Sequence, residues 1–356
     1  MNKLFLDIHA IQSLPPSNIN RDDIGSPKTA LYGGVNRARV SSQSWKKAMR
    51  DYFKQNYDNE KLGTRTRNLK ELITERVLDM DNESSKNKKM TKEEVEKLVT
   101  ETLKKVNLDD SKVLFFIGHE QANKLAEAIV NDVKNKGDLI EILKEKPSID
   151  IALFGRMMAK DASLSEGASS QVAHAISVHG IQTEFDFFTA TDDFLEDGGQ
   201  GAAMLETTEF NSPTLYRYAN VAVHDLLRQL ENEEDVIDTI KLFIKAFVNS
   251  LPSGKMNSFA NQTIPSFIMI SLREDRPINL VSSFENPIKS QEGFSEKASL
   301  ALVDEYDKVH KILDEPVKTF ILDLNGLSDV KRDDFVIEDN FKSLIEDIGK
   351  SIEEEF

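Results

Sequence analysis

Between Lys28 and Arg50 the chain carries six basic residues, Lys28, Arg37, Arg39, Lys46, Lys47 and Arg50, and no acidic one. The background makes this informative, because the whole chain is −16 at pH 7. The first 50 residues hold eight basic and three acidic residues, for +5, so the other 306 hold −21. An acidic protein that gathers positive charge in one segment has the means to bind an anion there. The neighbouring residue types suit a phosphate. Gly33-Gly34 lets the backbone approach a ligand closely. Ser41 or Ser42 fits the N-cap of a helix over about Gln43–Gln55, whose first turn offers unpaired N–H groups at its positive end. On that helix Lys46 and Arg50 share one face, while Trp45, Met49 and Phe53 are spaced to pack on a core. Arg21 adds charge, and Ser41, Ser42 and Gln43 add neutral donors. Such groups hold a nucleic-acid backbone without reading bases. The plainer reading is a solvated basic helix with an ordinary cap.

Other chemistries are less well supplied. Asp22-Asp23 stands beside the basic segment, and adjacent carboxylates can bind a divalent metal. The competing reading pairs Asp22 or Asp23 with Arg21 or Lys28 to shape the loop. His174 and His179 are five apart, which on a helix puts them on different faces and makes them poor joint ligands. His9, His119, His224 and His310 are isolated. The chain has no cysteine, which excludes disulfides, thiolate metal sites and cysteine nucleophiles. No Gly-x-Ser-x-Gly, Walker-type or dinucleotide fingerprint is present. We therefore expect neither cofactor nor metal.

The elements that must position these groups read as an α+β protein. Its 39% hydrophobic and 30% charged residues fit a globular chain of one large domain or two smaller ones. No apolar run approaches 18 residues and no leader-like start is visible, so the expectation is a cytoplasmic protein without a membrane span. Lys3–Ala10 alternates as a half-buried strand. Further strands are expected at Ile149–Phe154, Thr183–Thr191, Thr214–Val223, Ile264–Leu272 and Val317–Leu324. Residues 64–146 are Lys- and Glu-rich and read as a strandless helical insertion. It has helices at Arg67–Met80, Thr91–Val106 (with the capping box Thr91/Glu94) and Glu120–Lys136, and a polar linker at Asn82–Lys89. Helices also fit Ser169–Val178, Asp235–Leu251, Ser295–Leu313 and the acidic tail Phe341–Phe356. Glycines between Thr191 and Leu205 suggest a long loop tipping a projecting hairpin.

The basic segment also resembles a known family. Asn20-Arg21-Asp22-Asp23, Lys28, Gly33-Gly34 and then Arg37-x-Arg39-Val40-Ser41-Ser42-Gln43-Ser44-x-Lys46-Lys47-Ala48-Met49-Arg50 are similar to the amino-terminal signature of the CasC family. That family forms the repeated backbone subunit of the type I-E CRISPR complex Cascade. Asp150–Met157, Ala173–Ser177, Phe188–Asp193 and Glu209–Asn220 match in order, so the likeness covers most of residues 3–225. Two departures stand out: Val35-Asn36 replaces residues that are often basic, and Lys46-Lys47 replaces Lys-Arg. Lysine is a point charge where arginine offers a fork.

The resemblance implies a modified RRM-like (ferredoxin-type) palm over residues 1–55 and 147–356. It also implies helical fingers at 56–146 and a thumb hairpin at 183–222. It implies RNA contacts from Asn20, Arg21, Lys28, Arg39, Ser41, Ser42, Gln43, Lys46, Lys47 and Arg50. Met157, Phe188 and Leu205 would pack against a displaced base, where the alternative is ordinary core packing. The partners implied are a CRISPR guide RNA, target DNA through that guide, further copies of the chain in a six-copy helical backbone, and other Cascade subunits. The family is a non-catalytic scaffold. Relatives in type III complexes cut RNA with a loop acid, which keeps a metal-dependent ribonuclease centred on Asp22 or Asp23 as the rival. A module docking an acidic protein is the third reading.

Overall fold

The structure, a computed structural model, describes residues 3–83, 89–109, 112, 114–158, 161–190, 204–330 and 332–356. In chain order the strands are β1 (Phe5–Ser13), β2 (Thr29–Tyr32), β3 (Val35–Val40), β4 (Gly63–Thr66), β5 (Phe115–Gly118), β6 (Ser170–Val172), β7 (Ala175–Ser177), β8 (Glu184–Ala190), β9 (Met204–Phe210), β10 (Thr214–Ala222), β11 (Phe267–Arg273), β12 (Lys318–Asp323) and β13 (Phe335–Ile337). The helices are α1 (Ser42–Asn56), α2 (Leu69–Glu83), α3 (Lys92–Lys105), α4 (His119–Val130), α5 (Lys136–Lys144), α6 (Ile149–Phe154), α7 (Val223–Leu230), α8 (Glu233–Asn249), α9 (Met256–Phe259), α10 (Ser295–Val309) and α11 (Phe341–Glu353). This is the expected α+β class.

One mixed sheet organises the molecule, in the order β13-β12-β11-β1-β10-β7-β3-β2, with β6 also paired to β10. β1 has antiparallel neighbours on both sides, β10 and β11. Only the β12–β13 pair is parallel among the described strands. The alternation of β1 is real, but both of its faces are buried. Leu6, Ile8 and Ala10 join the core under α1, α8 and α11, whereas Ile11 joins the one under α10. The half-buried expectation fails because a central strand covered by helices on each side has no solvent face. The aromatic side of β10, Tyr216 and Tyr218, is likewise buried.

Residues 69–164 build a separate core from α2, α3, α4, α5 and β5, including Met158 and Leu164. The capping box of Thr91 and Glu94 forms as expected. The insertion is not strandless: β4 and β5 pair antiparallel, Gly63 opposite Gly118 through Thr66 opposite Phe115. The expected Glu120–Lys136 helix stops at Val130, and a new helix starts where the Asn135 side chain accepts the Gly137 N–H at 2.8 Å. The expected linker at 82–89 lies mostly outside the described residues.

Two assignments reverse. Ile149–Phe154 is a helix and not a strand, ended by Gly155 at φ +76°. An apolar run this short fits either state when it is buried all round. The expected helix at Ser169–Val178 is instead β6 and β7, both of which pair with β10. Ser169 and Ser170 donate their hydroxyls to the Ala152 and Leu153 carbonyls at 2.9 and 2.6 Å, which ties this segment to α6. Within the expected thumb range, β8 and β9 form a separate hairpin, while β10 lies in the central sheet. The glycine-rich stretch at 191–203 falls outside the described residues.

Candidate functional site

Helix α1 is placed by its apolar face. Trp45, Met49 and Phe53 are fully buried in the main core. The Trp45 ring meets the buried Arg217 guanidinium, 3.8 Å from the ring centre, and Phe247 lies against the same guanidinium at 4.4 Å. Arg217 donates to the Gln12 amide oxygen and to the Phe247 carbonyl. Its burial pushes its pKa down to about 9. Ser41, not Ser42, is the N-cap, and its Oγ accepts from the Ser44 N–H at 3.4 Å. The Asn20 side chain accepts the Ser41 N–H at 2.8 Å, and the Asn20 carbonyl accepts the Lys28 N–H at 2.9 Å. The 20–28 loop is thereby tied to the start of α1. Ser42 is half-buried there and Gln43 is exposed.

The cations divide into groups with different settings. Arg37 is fully buried and spends its guanidinium on the carbonyls of Tyr32, Ser177, Phe284 and Glu285. Gly33-Gly34 does not serve a ligand directly. Both residues sit at positive φ, +60° and +78°, and form the two-residue turn between β2 and β3. A Cβ on Gly33 would stand 1.6 Å from the Glu285 carbonyl oxygen. Only glycine fits that turn.

Lys28 and Arg39 form an outer pair. The Lys28 carbonyl accepts the Arg39 N–H at 2.9 Å, and the Arg39 guanidinium donates to His174 Nδ1 at 3.2 Å. Burial holds the His174 pKa down, helped by Arg39 and Lys28, so the ring is a neutral acceptor. His174 lies between β6 and β7 and not on a helix with His179. His179 instead accepts the Thr214 N–H and stacks on Phe294 at 3.8 Å.

Lys46 and Arg50 diverge. Arg50 is largely enclosed, donates from Nε to Asp150 Oδ2 at 3.2 Å, and lies 4.3 Å from the Phe116 ring centre. It does not stand as a free cation on an exposed helix face. Asp150 is 1% exposed, and its Oδ1 also accepts from the Gly63 N–H at 2.9 Å and the Ser148 hydroxyl at 2.8 Å. Lys46 is half-buried, with Nζ 5.7 Å from the Phe154 ring centre. Lys47 is exposed and paired with Asp51 at 2.5 Å. Among the described residues no carboxylate forms an ion pair with Lys28, Arg39 or Lys46.

The loop carboxylate Asp22 accepts the Ile24 and Ser26 N–H groups on one oxygen, at 3.1 and 2.9 Å. It caps its own turn. Arg21 is exposed and bridges Pro27 through the backbone.

Met157 is 89% exposed and Phe188 is 45% exposed, so neither is a core side chain. Met157 follows Arg156, whose buried guanidinium donates to the carbonyls of Leu164, Phe116 and Leu143 at 2.8, 3.0 and 2.7 Å. A flexible apolar side chain is thus presented from a fixed base. Phe188 lies on β8 opposite Glu206, beside the exposed Phe185 and Phe187. Leu205 lies on β9 opposite Thr189.

Arg65 was missed by sequence reasoning. It sits on β4 opposite Phe116, with its guanidinium 4.9 Å from that ring centre. The alternation Thr64-Arg65-Thr66-Arg67 was the available signal, since period two in a polar stretch fits an edge strand.

The fold matches chains of known assemblies. A chain of a structure described as "CRISPR RNA-guided surveillance complex, pre-nicking" is 29% identical, with a TM-score of 0.83 over 98% of this chain and 100% of that one. A chain of a "CRISPR RNA-guided surveillance complex" is 27% identical, with a TM-score of 0.64 over 98% and 99%. No curated protein matches. The family described as CT1975-like protein matches residues 6–347. The chain belongs to the CT1975-like family, and the CasC resemblance carried by residues 20–220 stands.

Proposed function

We propose that this chain is a guide-RNA-binding, self-assembling backbone subunit of a type I-E CRISPR surveillance complex in the cytoplasm. The observation that carries the reading is the set Lys28, Arg39 and Lys46, cations without a carboxylate partner among the described residues, flanking the Ser41-capped start of α1. They contact backbone and not bases, so the chain accepts any guide, and pairing between guide and DNA supplies specificity. The central sheet is read as a modified RRM-like palm, residues 56–146 as fingers, and β8–β9 as a thumb laid across the strand. The exposure of Met157 and Phe188 supports a place for them against a displaced base. Copies would line up along the guide, six in a complete backbone, beside other subunits.

Replacing Lys28 and Lys46 together with alanine should weaken guide binding equally for unrelated sequences. The dependence of log affinity on log salt should become shallower by roughly 1.4. Wild-type affinity and slope in that variant would sink the proposal. The chain is read as non-catalytic, with a ribonuclease centred on Asp22 or Asp23 as the rival; one Asp22 oxygen already accepts two N–H groups of its own loop, which supports the loop-shaping reading. Labelled RNA incubated with the assembled protein and magnesium should stay intact. Cleavage lost in Asp22→Ala would establish the ribonuclease instead.

A further inference from the structure

We propose that Lys46 and Arg65 form a clamp for one phosphodiester group at the joint between α1 and the helical insertion, with Phe116 and Asp150 positioning it through Arg50. The clamp rests on the RNA-binding reading and extends it to a residue of the insertion. Three cations from two parts of the chain meet at this joint: Arg50 on α1 and Arg65 on β4 share one ring, and Lys46, one turn before Arg50, is close enough to Arg65 for their charges to interact. The Phe116 ring carries both guanidiniums, at 4.3 and 4.9 Å. One carboxylate, Asp150, faces them. Asp150 takes the Gly63 N–H and the Ser148 hydroxyl on one oxygen and Arg50 Nε on the other.

Neither Lys46 nor Arg65 has an ion-pair partner among the described residues, and Asp150 acts on Arg65 only from a distance; Arg65 is exposed and Lys46 is reachable. Burial lowers the pKa of both, and each has a second cation beside it, Arg65 for Lys46 and Arg50 for Arg65. Like charges held close repel, and an anion placed between them converts that cost into attraction. The free guanidinium edge of Arg65 suits the paired oxygens of a phosphate, and Lys46 supplies a point charge from the other side. Phe116 is buried and already holds two arginines, so it offers a base no stacking face. The ligand chemistry is therefore a backbone phosphate, and its occupancy would fasten the insertion to the RNA-binding helix.

The test uses the full chain and a mixed-sequence oligoribonucleotide, titrated at several salt concentrations. Arg65→Gln should bind about tenfold more weakly. Its salt slope should be shallower by roughly 0.7, with an unchanged melting temperature. Arg65→Lys should restore the slope, which a purely structural role would not. If the wild-type chain binds and Arg65→Gln matches it in affinity and slope, the clamp is wrong while the RNA reading survives. If the wild-type chain does not bind, both fall.

Discussion

Lys46 and Arg50 lie four residues apart on one helix, yet their surroundings give them different work. Arg50 is 13% exposed and its partner Asp150 is 2% exposed by side chain. Removing one member of such a pair leaves a buried charge uncompensated, which costs about 3 kcal/mol. We expect Asp150→Ala to lower stability by roughly that amount, and Lys46→Ala to change it by less than about 0.5 kcal/mol. Denaturant melts of the two variants check this, and equal midpoints would contradict it. Spacing on the helix could not reveal the distinction, because Asp150 is 100 residues away in sequence. Serine capping, by contrast, is local chemistry and was legible down to a choice between two residues. Arg37 shows the same limit from the other side. It reads as one of six cations, but the fold spends its guanidinium on four carbonyls.

At the level of elements, long alternating strands and capped amphipathic helices could be read directly. Residues in β1, β10, β11, β12, α3 and α8 show it. Short apolar or Ser-rich pieces could not, since α6, β6 and β7 take their state from the neighbours they pack on. The far face of the sheet shows what such packing does to polar side chains. Burial pushes the Asp7 carboxyl up to about 7, against hydrogen bonds from the Tyr218 hydroxyl at 2.7 Å and the Ile278 N–H at 2.9 Å. Burial also pushes His9 down to about 3, so the ring stays neutral beside Tyr216.

The folded state therefore keeps the Asp7 proton up to about pH 7, while the unfolded chain releases it near 3.8. Stability from Asp7 is full below that lower value and falls as pH rises towards 7. His9 acts in the opposite sense between about 3 and 6.5, and equally in both proteins compared. Asp7→Asn, which does not titrate, should gain melting temperature relative to wild type as pH rises from about 4 to 7, and then level off. Parallel curves across that range would show that the carboxyl is not held protonated.

At the scale of the whole molecule, charge is divided along the chain. The first 50 residues carry +5, residues 56–146 carry −1, and residues 147–356 carry −20. An acidic body keeps stray nucleic acid away, while the one basic segment, folded between the loop at Asn20 and the joint at Arg65, offers a local attraction. This overall plan was legible because charge sums need no fold. The joint itself was not, because it brings α1, β4, β5 and α6 together from distant segments. The central claim is that the acidic chain holds RNA. It is tested most directly by purifying the protein after expression with and without a CRISPR guide, and measuring the absorbance ratio and native mass. The account predicts a nucleic-acid-rich assembly of several copies only when the guide is present. A nucleic-acid-free chain of the same mass under both conditions would contradict it.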